Sequence, residues 1–164
     1  MSASLKRLLL IDGHSMAYRA YYALPVENFK SSAGQPTNAI YGFASMIINL
    51  IKEEKPTHIA VAFDVSRRTF RTERFPEYKA NRASTPDEFR SQLSHINEMV
   101  DVFGIKHFEV EGFEADDIIA TLAKSAESKG FETLICTGDR DSLQLVNNKT
   151  TVFSVNRYFF SLSI

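Results

Sequence analysis

The sequence predicts an α/β fold in which helices flank a parallel sheet, and three observations support this prediction. Short apolar runs, such as 8–11 and 58–63, alternate along the chain with amphipathic helical patterns. The runs are almost wholly apolar, as expected of strands buried on both faces of a parallel sheet. Acidic residues follow the ends of four runs. Because ligands bind beside the carboxyl ends of parallel strands, this placement also indicates where a site would lie.

The first half of the chain predicts two strands separated by one long helix. The first strand is expected at about 8–11 and is followed by a polar loop around 29–36. A helix is predicted from about Thr37 because apolar residues recur at helical spacing along one face. These residues are Ile40, Phe43, Ala44, Ile47, Ile48 and Ile51. The second strand is expected at 58–63.

The second half continues the alternation of strand and helix. Residues 85–88 have the pattern of a capping box with Pro86 at the first helical position, and the helix should end at Gly104. Its apolar face is predicted to consist of Leu93, Ile96, Val100 and Phe103. A third strand at about 105–110, a helix from Ala115 to about 130 and a fourth strand at 131–137 follow. A short helix after Asp141 and a fifth strand near 151–155 complete the prediction.

The size and composition are those of one globular domain. The chain has 164 residues, of which 44% are hydrophobic. We expect this domain at 1–155, followed by an atypical apolar tail at 156–164. No apolar run approaches the roughly 20 residues that span a bilayer, and the N-terminus lacks the layout of a signal peptide, so a cytoplasmic protein without membrane contact is expected. Cys136 lies inside an apolar run and is interpreted as a core residue.

Seven acidic residues should converge on one edge of the sheet because the carboxyl ends of parallel strands meet there. Crowded carboxylates have raised pKa values and oppose folding unless a cation neutralises them. Oxygen ligands suit hard divalent ions such as Mg²⁺ or Mn²⁺. The pattern therefore predicts a metal-dependent phosphoryl-transfer site. The candidate residues are Asp12, Asp64, Glu114, Asp116, Asp117, Asp139 and Asp141.

Ordinary structural roles compete with metal binding at each of these positions. Carboxylates at 114–117 could cap the following helix, although three acids in four residues exceed what a helix start needs. Asp139 and Asp141 form a pattern that occurs both in phosphate enzymes and in plain turns. Asp12 and Gly13 could form a turn, and His14 could contact a phosphate or act as a cap.

A basic segment at 65–82 follows Asp64 directly. It contains six basic and two acidic residues, so its net charge is +4 and the rest of the chain carries −5 of the total −1. Interleaved Phe70, Phe75 and Tyr78 offer rings on which bases can stack, which is typical of single-strand binding. A solvated, salt-bridged surface loop is the alternative. The candidate DNA-binding residues here are Arg67, Arg68, Arg71, Arg74, Tyr78, Lys79 and Arg82.

Four ordered motifs carry a family resemblance over about 5–155. LLLIDGHSMAYRAYYAL, AVAFDVSRRTFRTERFPEYKANR, EGFEADDIIATLA and TGDRDSLQLV resemble the 5′-nuclease domain at the N-terminus of bacterial DNA polymerase I, which is related to flap endonucleases and phage 5′-exonucleases. The resemblance implies a PIN-like, resolvase-like fold and a two-metal Mg²⁺ or Mn²⁺ site. It also implies hydrolysis of DNA phosphodiesters at 5′ flaps, nicks and RNA primers during replication and repair.

Residue roles also follow from the resemblance. The seven acidic residues match the family's metal cluster, with Asp116, Asp117 and Asp139 as the strongest candidates for ligands. Lys79 and Arg82 match catalytic cations in an arch-like part of the basic segment. Arg19 and Tyr22 on the first motif, together with Tyr78, match positions that contact the scissile phosphate and the threaded strand. A monomer is expected.

The sequence departs from the family in its last residues. The resemblance implies a Gly-Asp-x-Ser-Asp-Asn motif with further carboxylates and then a helix-hairpin region that grips the duplex, and neither pattern occurs in the 164 residues. Polymerase motifs are also missing. We therefore expect an incompletely formed second metal site and weak or no cleavage. A non-catalytic nucleic-acid-binding fragment and a PIN-type ribonuclease are the alternative functions.

Overall fold

A computed structural model describes residues 5–65, 68–81 and 84–155. Its centre is a five-stranded sheet in the order β3-β2-β1-β4-β5, in which every neighbouring pair is parallel. The predicted parallel α/β architecture is therefore confirmed. The strands are β1 (Arg7–Asp12), β2 (His58–Phe63), β3 (Lys106–Glu109), β4 (Glu132–Thr137) and β5 (Thr150–Ser154).

In the part of the chain that the structure describes, five α-helices and two 3₁₀ turns connect these strands. The turns span Val26–Asn28 and Arg140–Leu145. The helices are α1 (Gly13–Ala23), α2 (Asn38–Glu54), α3 (Phe70–Arg74), α4 (Asp87–Val102) and α5 (Ala115–Ser128). Among the described residues, no helix is long and apolar enough to cross a membrane. The predicted tail at 156–164 lies outside the described residues.

The sheet separates two cores because successive side chains of a strand point to opposite faces. On β1, Leu9 and Ile11 join the larger core, which includes residues of α1, α2 and α4. Leu10 faces the other way and packs in a smaller core with Ile118 and Ile119 of α5. Strands buried on both faces explain the unbroken apolar runs that predicted them.

Strand register brings the carboxyl ends of the central strands to one level. Asp12 of β1 pairs with Ala62 of β2, and Ile11 pairs with Cys136 of β4. Residues just beyond β1, β2 and β4 therefore emerge at the same edge. The buried Cys136 is a core residue, as predicted, and burial raises the pKa of its thiol.

Helix α1 was missed by the sequence analysis, which placed a turn and a loop after β1. The Asp12 side chain caps this helix by accepting the Ser15 N–H. Its buried residues mix small and large side chains, and exposed tyrosines occupy the other face, so no clean apolar stripe marks it. The buried residues are Gly13, Met16, Ala17, Ala20 and Tyr21.

The predicted apolar faces of α2 and α4 were partly wrong. In α2 the buried face runs through Ala39, Phe43, Met46, Ile47 and Leu50, whereas Ile48 and Ile51 are exposed. The long run of apolar residues allowed two overlapping stripes, and packing against α1 and α4 selected one.

Helix α4 differs from the prediction at both ends. Pro86 occupies the N-cap rather than the first helical position, and Phe103 is exposed, whereas Phe89 and Gln92 are buried. Gln92 is buried because its amide oxygen accepts the Ala39 N–H at 2.8 Å and its amide nitrogen donates to Asn38 at 2.9 Å. Strand β3 is shorter than expected, and the other predicted strands and α5 are confirmed to within about two residues.

Gly13 is required where α1 crosses β2, and this gives a stability prediction. A Cβ at residue 13 would overlap the Phe63 ring, which is itself held by the rings of Phe43 and His14. We expect Gly13→Ala to lower the free energy of unfolding by about 1–3 kcal/mol, because overpacking outweighs the better helix propensity of alanine. Urea unfolding would measure the change, with Ser125→Ala on the exposed face of α5 as the control. An unchanged midpoint for Gly13→Ala would contradict this account.

Candidate active site at the carboxyl edge of the sheet

Asp12 lies deepest among the acidic residues at this edge. It ends β1, and its side chain is only 7% exposed. One carboxylate oxygen accepts the Ser15 N–H at 3.0 Å, and the other accepts the Thr137 hydroxyl at 2.8 Å. These hydrogen bonds join β1 to the start of α1 and the end of β4. Burial raises the pKa of Asp12, although the hydrogen bonds from Ser15 and Thr137 oppose that rise.

Asp64 and Asp139 approach the same place from the neighbouring strands. Asp64 follows β2, and its carboxylate accepts the Ala115 N–H at 2.6 Å, which ties this strand end to the first turn of α5. Asp139 follows β4 and caps the 3₁₀ turn by accepting the Asp141 N–H at 2.9 Å. Both side chains therefore have defined positions before any ion binds.

Asp116 on the first turn of α5 lies near enough to Asp12, Asp64 and Asp139 to feel the negative charge of each. Burial, followed by the negative charges of Asp12, Asp139 and Asp64, raises its pKa to about 7. The nearby Lys79 opposes the rise but does not outweigh it. We call Asp12, Asp64, Asp116 and Asp139 the acidic cluster. Its members come from four separate elements, as the prediction of convergence requires.

The chemistry of the acidic cluster suits a hard divalent cation. A divalent ion such as Mg²⁺ or Mn²⁺ would neutralise part of the negative charge of these four carboxylates. All of the ligand atoms that they offer are oxygens, which such ions prefer. Among residues 5–65, 68–81 and 84–155, no three acidic, His or Cys side chains already surround a point that could hold an ion. Asp12, Asp64 and Asp139 accept hydrogen bonds from protein groups, and each carboxylate still has lone pairs that an ion could use.

Glu114 and Asp117 lie beside the acidic cluster but bind cations of the basic segment. Together they form a capping box at the start of α5. Both oxygens of Asp117 receive the Arg71 guanidinium at 2.7 Å, which holds the Asp117 pKa below its usual value. Glu114 accepts a hydrogen bond from Lys79 at 3.0 Å. Sequence reasoning grouped these two acids with the metal site, whereas the structure pairs them with Arg71 and Lys79.

The other residues that the sequence predicted for the site lie around the carboxyl edge of the sheet. Asp141 is exposed, and only its backbone N–H reaches Asp139. Arg19 is partly buried on α1, and Tyr22 is exposed against the ring of Tyr18, with centroids 4.7 Å apart. His14 contacts Asp64 rather than capping a helix, since its Nδ1 accepts the Asp64 N–H at 3.3 Å.

The basic segment is partly helical and partly turn. Arg68 pairs with Glu73 at the surface at 3.3 Å, and Arg74 is exposed. Tyr78 donates from its hydroxyl to Glu114 at 3.4 Å. The predicted DNA-binding residues Arg67 and Arg82, the latter also predicted as catalytic, lie outside the described residues. Arg71, Tyr78 and Lys79 contact the start of α5, so this part of the segment is salt-bridged, as the surface-loop alternative also expected, and is anchored to a helix.

Thr137 and Ser15 are functional supports that sequence reasoning missed. Thr137 donates to Asp12 and accepts the Asp139 N–H at 3.1 Å, so one hydroxyl orients two members of the acidic cluster. The Ser15 hydroxyl accepts the Gly138 N–H at 2.7 Å. The position of Thr137, at the end of an apolar run and just before Gly-Asp, was only a weak indication of this role. Its partner Asp12 is 125 residues away in the sequence.

Comparison with known proteins identifies the family. Residues 7–161 match the family described as 5′-3′ exonuclease, N-terminal resolvase-like domain. The chain belongs to this family. It is 59% identical over 145 residues to DNA polymerase I of Mycobacterium bovis, and 50% identical over 147 residues to that of Bacillus subtilis. These alignments cover 88% and 90% of this chain but 16% of each relative, so the chain spans about one sixth of their length.

Solved structures share the resolvase-like fold. A bacteriophage T5 flap endonuclease in a pseudo-enzyme–product complex with DNA and metal ions matches with a TM-score of 0.72 at 22% identity. T5 5′-exonuclease with bound zinc matches with a TM-score of 0.68 at 20% identity. Each match covers 93% of this chain and 56% of the other chain. The fold inferred from the family resemblance is therefore confirmed.

The raised pKa of Asp116 predicts how stability depends on pH without metal. A carboxyl group whose folded pKa lies near 7 rather than 3.8 contributes stability below pH 3.8 that is lost as pH rises through about 7. In EDTA at pH 8, Asp116→Asn should raise the free energy of unfolding by about 1–2 kcal/mol, a value discounted for the partial exposure of the side chain. Near pH 4 the gain should be small.

Urea unfolding across this pH range would measure the effect. Glu53→Gln on the exposed face of α2 removes a carboxylate far from the site and should show no such pH dependence. A gain for Asp116→Asn that is equal at pH 4 and pH 8 would contradict the electrostatic account.

Proposed function

We propose that this domain is a divalent-metal-dependent 5′-3′ exonuclease and structure-specific flap endonuclease that hydrolyses DNA phosphodiester bonds in replication and repair. The observation that carries the proposal is the crowding of Asp12, Asp64, Asp116 and Asp139 at one edge, with Lys79 of the basic segment beside them. Family membership, over residues 7–161, supports the reaction class.

The acidic cluster would hold the metal in this proposal. Asp116 and Asp139 are the best candidates for ligands, and Asp12 and Asp64 would hold the waters around the ion or bind it directly. When bound, divalent ions supply a lowered pKa for an attacking water and neutralise charge on the phosphate. Asp141 is exposed two residues beyond Asp139 and would contribute to a second ion.

The chain's own residues would position the substrate. Lys79 lies close enough to lower the pKa of Asp116 and could bind the phosphate that enters the cluster. Tyr78 beside it offers a ring face to a base, and exposed Arg68 and Arg74 could neutralise further phosphates. Thr137 keeps Asp12 and Asp139 in place, so the protein's contribution is mainly orientation.

DNA with a 5′ flap, a nick or an RNA primer is the substrate we propose, and Mg²⁺ or Mn²⁺ is the ion. Support comes from the T5 relatives, one of which was crystallised with DNA and metal ions and is described as a flap endonuclease. We further propose that the domain acts as a monomer in the bacterial cytoplasm, which is supported by the bacterial origin of its DNA polymerase I relatives.

Cleavage of a labelled 5′-flap DNA tests the proposed function. We expect slow cleavage with Mg²⁺ or Mn²⁺, because the family's further carboxylates do not occur in the 164 residues, and no product with EDTA. Asp116→Asn should lower the rate by at least about a further 100-fold, because a missing ligand disables a unit that works together. Glu53→Gln should cleave like the wild type. Faster cleavage of single-stranded RNA would instead indicate a PIN-type ribonuclease. Metal-dependent DNA binding without product would indicate a non-catalytic binding domain.

Metal binding can be tested separately from cleavage by thermal melts. Because ligands that bind only the native state stabilise it, Mg²⁺ or Mn²⁺ should raise the Tm relative to EDTA. The increase should be largely lost in the double variant Asp116→Asn with Asp139→Asn, and kept in Glu53→Gln. If the double variant keeps the whole metal-induced increase, the ligand assignment is wrong.

A further inference from the structure

The first turn of α5 presents its acidic residues in two directions. Asp116 faces the acidic cluster, as the influence of Asp12, Asp64 and Asp139 on its pKa shows. Asp117, the next residue, faces Arg71 and accepts two hydrogen bonds of 2.7 Å from its guanidinium. Adjacent helical residues point about 100° apart, so one turn of helix can serve two surfaces.

Asp117 has little capacity left for a metal ion. One of its oxygens accepts both an Arg71 nitrogen and the Glu114 N–H, the latter at 3.0 Å, and the other accepts the second Arg71 nitrogen. Paired Arg–carboxylate bonds of this kind are short, directional and charge-assisted. Glu114 is similarly occupied: it is 9% exposed and receives Lys79 at 3.0 Å and Tyr78 at 3.4 Å.

Backbone and ring contacts extend the same interface along α3. The Phe70 N–H donates to the Gly112 carbonyl at 3.0 Å, and residue 69 forms a parallel bridge with residue 112. The Phe70 and Phe113 rings lie 5.7 Å apart, and the Arg71 guanidinium lies over the Phe70 ring at 4.6 Å. The basic segment is therefore joined to the start of α5 at two places, through residues 69–71 and through residues 78–79.

We propose that Glu114 and Asp117 dock the basic segment instead of holding metal, and that Arg71 is the positioning residue that brings Lys79 to the acidic cluster. Lys79 sits in a turn with a positive φ of 59°, five residues beyond α3, so its position depends on where α3 is anchored. The proposal rests on the proposed nuclease function only for its effect on cleavage. The docking itself is a property of the free protein.

A unique tryptophan can report docking without metal or DNA. The sequence contains no tryptophan, and Phe75 is 68% exposed on the basic segment, so Phe75→Trp places one probe there. In this background, Arg71→Gln and Asp117→Asn should lower the fluorescence anisotropy equally, and the double variant should lower it no further. Arg68→Gln, which removes the exposed pair with Glu73 and leaves the Arg71–Asp117 pair intact, is the matched control and should leave the anisotropy unchanged.

Two outcomes of this measurement would overturn the proposal. One is an unchanged anisotropy in Arg71→Gln while circular dichroism shows the fold intact. The other is additive effects in the double variant. Arg71→Lys provides a second variant that keeps the charge: because lysine cannot make the paired bonds to Asp117, its anisotropy should also fall.

Cleavage of 5′-flap DNA then separates docking from metal ligation. Arg71→Gln and Asp117→Asn should each lower the maximal rate by at least about tenfold, because Lys79 is misplaced, while the Mg²⁺ concentration for half-maximal rate stays within roughly twofold. Asp116→Asn should raise that concentration or abolish cleavage. A raised Mg²⁺ requirement in Asp117→Asn alone would overturn the docking role. If the wild type cleaves no flap, the proposed function fails, and the anisotropy still decides docking.

Discussion

Repulsion among carboxylates at the carboxyl edge of the sheet is the constraint on which the site depends. Asp12, Asp64 and Asp139 are placed there by three neighbouring parallel strands, and the first turn of α5 adds Asp116. Hydrogen bonds from backbone N–H groups and from Thr137 hold three of them, but Asp116 has a pKa near 7 because burial and its neighbours disfavour its charge. Keeping these carboxylates together costs less free energy when one of them is protonated or when a cation binds among them.

The basic segment neutralises the two acidic residues on the outer side of this edge. Arg71 and Lys79 neutralise Asp117 and Glu114, and burial opposes but does not overcome the hydrogen bonds that raise the Lys79 pKa. Of the inner carboxylates, Asp64 has an oxygen 3.9 Å from His14 Nδ1, and Asp116 has Lys79 nearby. The long cationic side chains of Arg71 and Lys79 therefore reach the outer carboxylates directly.

Rigid supports connect this electrostatic arrangement to the fold. Asp12 is both the last residue of β1 and the cap of α1, and Gly13 lets α1 pass directly over the Phe63 ring. Thr137 links β4 to β1 through Asp12 and also fixes the start of the following turn. The carboxylates are therefore held by secondary-structure ends, which vary less in position than free loops do.

Much of the fold could be predicted from the sequence because strands buried on both faces must be continuously apolar, and α5 has a single apolar stripe. Helix α1 could not, since its buried face mixes Gly13, Met16 and Tyr21 while exposed tyrosines lie on the other face. In α2, apolar residues permitted two faces, and only packing selected Met46 and Leu50 over Ile48 and Ile51.

The sequence by itself determined that acidic residues meet at one edge, because strand direction and the alternation of strand and helix place them there. Only the tertiary structure decided how those acids divide. Asp116 and Asp117 are neighbours with the same side chain, yet one is crowded by carboxylates and the other is paired with Arg71, a residue 46 positions away. Local pattern cannot distinguish them, since the difference arises from which distant charge each side chain faces after folding.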